Sequence, residues 1–434
     1  MVIMSRISMH NARRIRKRLS VGGVSYLSYV VTGSRMYRFI QIIFSAPWAV
    51  LCVLVLRNLP ARFKIQITEI RGDRIGHFIG EGAEYVAFTR MNRANGSHLF
   101  WIRNSCNDQW NRMLRRELTI LNVLKYVDMW DKYCPGKRIT SAPSAAVDPR
   151  DPNGRFLNSG ARISFLENED AYAHDWLSSR GWNPGDPFIC LLVRDAKFTG
   201  TRVDYGPPSD SVSKKWANHD YRNSDIETYI PAIQWLLDQG VWVLRMGRVM
   251  KRELVFTHAR LIDYSFDPAA CDLLDIWLFA NCSACISTAS GPDVLALVYE
   301  KPLLRLNALP LALMAISSAS TYIPKQLIWN SSQKELSLRE NLRFPSQNSA
   351  EYASAGISVV DMDANSILSA VIEFWQSAQG NGFGSESEQE IQTRFWQVME
   401  SWPDYSRHHP YRNPKFRLGP TWIRQRDESY FELP

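Results

Sequence analysis

Between Pro187 and Leu306 short apolar runs recur at close intervals, separated by stretches of helical periodicity. Phe188–Val193 (FICLLV) is apolar throughout, and Val241–Gly247 (VWVLRMG), Leu261–Ser265 (LIDYS), Ala284–Thr288 (ACIST) and Pro302–Leu306 (PLLRL) repeat the theme. A strand with one wet face alternates apolar and polar residues, whereas a strand covered on both faces does not. Covered strands joined by helices imply right-handed βαβ units and a parallel sheet with helices on both sides. The chain is therefore expected to be α/β.

The connecting segments support this. Ser224-x-x-Glu227 has capping-box spacing, Ile226, Tyr229, Ile230, Ile233, Leu236 and Leu237 share a helical face, and Gly240 stops the helix. Pro231 is a misfit there and marks either a kink or a later start. Further helices are expected from Ala269 to Cys282 and from the turn Ala289-Ser290-Gly291-Pro292 to Glu300, with a strand and helix in Gly356–Trp375. Earlier, Phe63–Ile70 alternates like a strand, residues 71–88 read as a turn and helix, Ser97–Ile102 as a strand and Trp110–Leu124 as a helix. Ser141–Gly160 has loop composition.

Charge is unevenly placed. Met1 to Lys64 holds eleven Lys and Arg and no acid, although the whole chain is only +8, so the rest is slightly acidic. A nucleic-acid binder would carry its positive stripe on the folded domain, so the basic arm reads as a membrane-surface element and no nucleic-acid partner is expected. Within it Phe39–Leu56 runs eighteen residues without a charge, between Arg38 and Arg57. As a helix it reaches roughly 27 Å, just short of the ~30 Å hydrocarbon core, with Pro47 near its middle. A cleaved signal peptide is not expected, because the apolar run starts late and no small-x-small site follows. Basic flanks on both sides favour an in-plane or re-entrant anchor over a span, the alternative being a buried core helix. Seven irregularly spaced cysteines fit a reducing compartment, with Cys282 and Cys285 as buried structural thiols.

In open parallel sheets ligands bind beyond the carboxyl ends of the strands. Those positions hold Arg194, then Arg245 with Gly247, then Ser287, Thr288, Ser290 and Gly291 opening a helix. Backbone N–H groups at the helix start and forked guanidinium donors suit a diphosphate.

The run from His219 to Gly247, with Phe279–Leu304, looks like the second domain of a bacterial family of predicted surface-polysaccharide glycosyltransferases, and RGDRIGHFIGEGAEY (71–85) resembles that family's first-domain motif. The Ser-Gly-Pro-Asp turn at 290–293 is similar to the donor-phosphate turn of heptosyltransferases and the wider GT-B class, without the histidine that often follows it in heptosyltransferases. The resemblance implies two Rossmann-like domains: an acceptor domain over 63–180 and a nucleotide-sugar donor domain over 181–380, preceded by the arm (1–62) and followed by a C-terminal segment (381–434). That last segment, with a helix near Glu388–Trp402, is expected to pack back across the junction. It implies a glycosyltransferase that works without a cofactor or metal, on a nucleotide sugar and a glycan or lipid-linked acceptor, at the cytoplasmic face of a bacterial inner membrane. Arg222 and Asn223 join the donor-site candidates, near Asp195, Asp220 and Asp225, because the resemblance runs through them. Asp73, His77 and Glu81 are candidates for activating the acceptor, His77 and Glu81 being four apart and so on one helix face. The rival readings are a nucleotide-sugar epimerase on the same scaffold and a non-catalytic scaffold that binds polysaccharide or an assembly partner.

Overall fold

Seven parallel strands form one sheet, in the order β12-β9-β8-β7-β4-β5-β6. They are β4 (Phe188–Leu192), β5 (Trp242–Arg245), β6 (Leu261–Ile262), β7 (Ala284–Ser287), β8 (Leu303–Ala308), β9 (Ser320–Pro324) and β12 (Arg417–Leu418). Renumbered within the sheet, this is the doubly wound order 3-2-1-4-5-6 with one more strand at the far edge, and its order reverses between β4 and β7. The structure, a computed structural model, describes residues 35–60, 63–91, 97–141, 151–156, 160–195, 219–380 and 385–432. The chain is α/β with a large parallel sheet, as its apolar runs require.

Contacts divide the chain into two units, one of residues 1–69, 95–101 and 120–142, the other of residues 70–94, 102–119 and 143–434. In the larger unit, α6 (Ile230–Asp238), α11 (Ala364–Ala378) and α12 (Glu386–Glu400) cover one face of the sheet. Ile189, Leu191 and Val193 pack there with Ile233, Leu236, Val371, Phe374 and Phe395. The alternate residues Cys190 and Cys285 are buried as well, which is why these strands read as unbroken apolar runs. The same unit contains α2 (Ile75–Met91), α3 (Asp108–Glu117), α5 (Glu167–Ser178), α7 (Asp272–Asn281) and α8 (Val294–Val298).

Three expectations are refined. The helix at Pro231 starts late: Asp225, not Ser224, caps a 3-10 turn over Ile226–Tyr229, and Pro231 then lies in the first turn of α6, where its missing N–H costs nothing. The helix expected over Trp110–Leu124 is two, α3 and α4 (Leu124–Asp131), because Ile120 bridges Phe100 in extended form. Strand β11 (Ile357–Val360) is antiparallel to β10 (Gln326–Trp329), outside the main sheet. The C-terminal segment contributes β12, and Trp422, Ile423 and Phe431 enter the main core. Most of the Ser141–Gly160 loop lies outside the described residues.

In the smaller unit, a three-stranded sheet of order β2-β1-β3 (Ser97–Arg103, Ile65–Arg71, Thr140–Ser141) lies with α1 (Arg35–Arg57) and α4. Ala49 and Val53 of α1 share a small core with Ile67, Trp101, Leu124 and Val127. Arg57 closes this unit, its guanidinium reaching Asp131 at 2.8 Å. Only 17% of the apolar stretch Ile40–Arg57 is buried, so α1 is not a core helix.

Candidate functional site

The strand order reverses between β4 and β7, and in a doubly wound sheet the crevice for a ligand lies outside the carboxyl ends of the strands at that point. The backbone there is tied by two hydrogen bonds: Thr288 N donates to Leu192 O at 3.1 Å, and Arg194 N donates to Thr288 Oγ1 at 3.0 Å. An open cleft of about 800 Å³ lies beyond, wholly within the larger unit. The β4 end supplies Arg194 and Asp195, the β5 end Gly247 and Arg248, the turn after β7 Ser290 and Gly291, and the start of α2 Asp73, Arg74 and His77.

Arg194 dominates the electrostatics. Its side chain is buried and makes no ion pair among the described residues, and its Nε lacks a hydrogen-bond partner. Burial, with the charge of Arg222 behind it, pulls its pKa down to about 10. Arg222 donates to the carbonyl of Ala289, a residue held at φ 53 in the left-handed region, where a side chain is strained. His219 is driven below the ordinary imidazole range, first by its own burial and then by Arg194, Arg222 and Arg74. Several cations thus crowd one place, and a bound anion would relieve both their repulsion and the missing hydrogen bond.

Other arginines at the cleft are already engaged. Arg248 pairs with Asp272 and Asp275. Arg305, on β8, holds Asp293 with two bonds of 3.1 and 3.2 Å, leaving Nη1 buried without a partner. This pair explains the Asp of the Ser-Gly-Pro-Asp turn as the anchor of the turn.

The candidates therefore separate. Asp73, His77, Arg194, Arg222, Gly247, Ser290 and Gly291 line the cleft. Arg245 does not: it is buried against Asp263 Oδ2 at 2.9 Å and Arg252 O at 2.8 Å, which corrects its expected role as a phosphate ligand. Ser287 and Thr288 are also buried, with their hydroxyls accepting from Ser290 N and Arg194 N, so they shape the loop from within. Asn223 binds Asp220 through its amide at 2.9 Å and Lys325 through its carbonyl at 2.6 Å, a turn-forming role. Glu81 is fully buried and committed to Arg71, whose N–H it accepts at 3.0 Å, and His77 Nδ1 stands 3.7 Å from it, beyond hydrogen-bonding distance. The expected helix start is a 3-10 turn, Gly291–Asp293, before the five residues of α8, so the arginines rather than a long helix dipole make the cleft attractive to anions.

No family model and no curated protein matches this chain. Solved structures do. A family 9 glycosyltransferase from Veillonella parvula is similar at 10% identity and a TM-score of 0.39, over 61% of this chain and 87% of that one. ADP-heptose lipopolysaccharide heptosyltransferase II of E. coli aligns at 12% identity and a TM-score of 0.36, over 67% and 98%. The dodecameric iron-containing heptosyltransferase TibC, solved with ADP-D-β-D-heptose, aligns at 14% and 0.30, over 58% and 60%.

The sequence reading missed His219, and it missed Tyr221 and Arg305, which line the cleft. Arg305 carried a usable signal: a charge inside an otherwise apolar buried strand needs a partner and a reason. Conversely, Asp361-Met362-Asp363 spells a D-x-D, but Asp361 pairs with Lys325 at 2.6 Å and Asp363 caps α11 through Asn365 N and Ser366 N.

Proposed function

We propose that this protein is a glycosyltransferase that binds the diphosphate of a nucleotide-activated sugar at the β4–β7 switch point. The carrying observation is Arg194, a buried guanidinium with no ion-pair partner among the described residues and an unsatisfied Nε, at the mouth of a doubly wound sheet. The sequence resemblance through residues 219–247 and 279–304 agrees with that placement. In this reading Arg194 and Arg222 take the diphosphate and Ser290 and Gly291 offer backbone N–H groups. As the sugar–phosphate C–O bond breaks, these fixed donors stabilise the charge growing on the leaving nucleoside diphosphate. The new bond forms from the acceptor hydroxyl, whose proton passes to a base. Asp73 and His77, both at the cleft, are the candidates, while Arg71 and Glu81 brace the start of α2. The acceptor is a glycan or a lipid-linked sugar of the cell surface.

A thermal-shift series with ADP, UDP, GDP, CDP, CMP and their sugars tests this. A ligand at a hundred times its dissociation constant stabilises by about 2.7 kcal/mol. One clear nucleotide family of hits supports the reading, and a folded protein indifferent to every nucleotide overturns it.

A further inference from the structure

Helix α1 has no polar face of its own. From Ile40 to Leu56 it carries no charged residue, yet only a narrow stripe, Ser45, Ala49 and Val53, is buried. That stripe lies on α4. Trp130 Nε1 donates to Ser45 Oγ at 3.2 Å, Trp48 meets Tyr126 edge-on at 5.9 Å, and Arg57 clasps Asp131. The opposite side exposes Phe44, Leu51 and Val55, spaced seven and four apart and so on one helix face, with Phe44 77% exposed.

We propose that α1 lies in the plane of an anionic phospholipid surface, with Phe44, Leu51 and Val55 sunk among the acyl chains, and that it does not cross the bilayer. This stands independently of the glycosyl-transfer reading. The contact with α4 runs from Ser45 to Arg57, so a spanning α1 would carry α4 with Lys125, Asp128 and Lys132 into hydrocarbon. The part of α1 before Ser45, residues 35–44, reaches about 15 Å as a helix, half of the ~30 Å core. In-plane helices normally bring their own polar face; here the folded unit supplies it by covering one stripe. The occupant follows from charge. Residues 1–57 hold nine Lys and Arg and no acid, which attract anionic lipid and repel a second copy of the same arm.

The test uses the full chain. Co-sedimentation with vesicles of phosphatidylcholine containing phosphatidylglycerol is expected to exceed that with phosphatidylcholine alone. The double variant Phe44→Ser, Leu51→Ser, which changes only exposed positions, is expected to lower vesicle affinity at least tenfold with an unchanged circular dichroism spectrum. Epitopes fused to the two ends, probed by protease on sealed membrane vesicles from expressing cells, are expected on the same side. Epitopes on opposite sides mean a span and overturn the proposal. So does a double variant that binds vesicles as before, including one that only alters self-association.

Discussion

Gly76 and Gly291 meet backbone to backbone: a methyl group on Gly76 would lie 2.8 Å from the Cα of Gly291. The first turn of α2 is thereby pressed onto the turn after β7, and the RGDRIGH and SGPD motifs form one wall of the cleft. Gly76→Ala has no flexible side chain to displace, so it should cost about 1–3 kcal/mol of stability, the range for overpacking. It should also weaken nucleoside diphosphate binding by moving Ser290. Thermal unfolding and calorimetric titration with ADP and UDP check both, and a variant as stable as the parent would mean that the contact is slack.

Arg194 and Arg245 look alike in sequence and should behave oppositely. Arg194→Gln removes a guanidinium with no ion pair among the described residues, so stability should hold while diphosphate affinity falls by about 1.5–3 kcal/mol, the range for a hydrogen bond to a charged group. Arg245→Met breaks a buried pair with Asp263 and should cost about 3–5 kcal/mol of stability. Measuring melting temperature and nucleotide affinity for both variants decides it; equal losses of affinity without loss of stability would return Arg245 to the site.

His219 gives the site a pH signature. Its folded pKa lies below the unfolded value of ~6.5, so its contribution to stability is intact above that pH and is lost as pH falls through the folded value. A bound anion offsets Arg194, Arg222 and Arg74 and raises that pKa, so binding takes up a proton. Nucleotide affinity should therefore rise from about pH 7.5 to about pH 5.5 more steeply in the parent than in His219→Gln. The variant serves as control for the phosphate's own titration, and identical slopes would remove His219 from the site.

The C-terminal segment belongs to the sheet's core. Trp422 is buried against Tyr430 and Phe431 with Arg426 stacked 3.8 Å over its ring. Trp422→Ala should cost about 3–5 kcal/mol, as for other large-to-small core changes. Chemical denaturation measures this, and a loss below about 1 kcal/mol would show the segment to be peripheral.

By itself the sequence determined the fold class and the place to look for a ligand. An apolar run such as Phe188–Val193 has one stable use, a strand covered on both faces, and a parallel sheet binds at its strand ends. The placement of Arg194 and Ser290 beside an exposed cleft followed from those two rules. It could not separate Arg194 from Arg245. Both stand at the carboxyl end of a strand, and what withdraws Arg245 is Asp263, eighteen residues further on and brought alongside only by β6. Nor could it see that Glu81 is spent on Arg71, that Gly76 and Gly291 touch, or that β12 returns to the sheet. Local periodicity sets which segments become strands and helices. Tertiary packing sets partners between segments distant in the chain, and so decides which charges are neutralised and which remain available to a ligand.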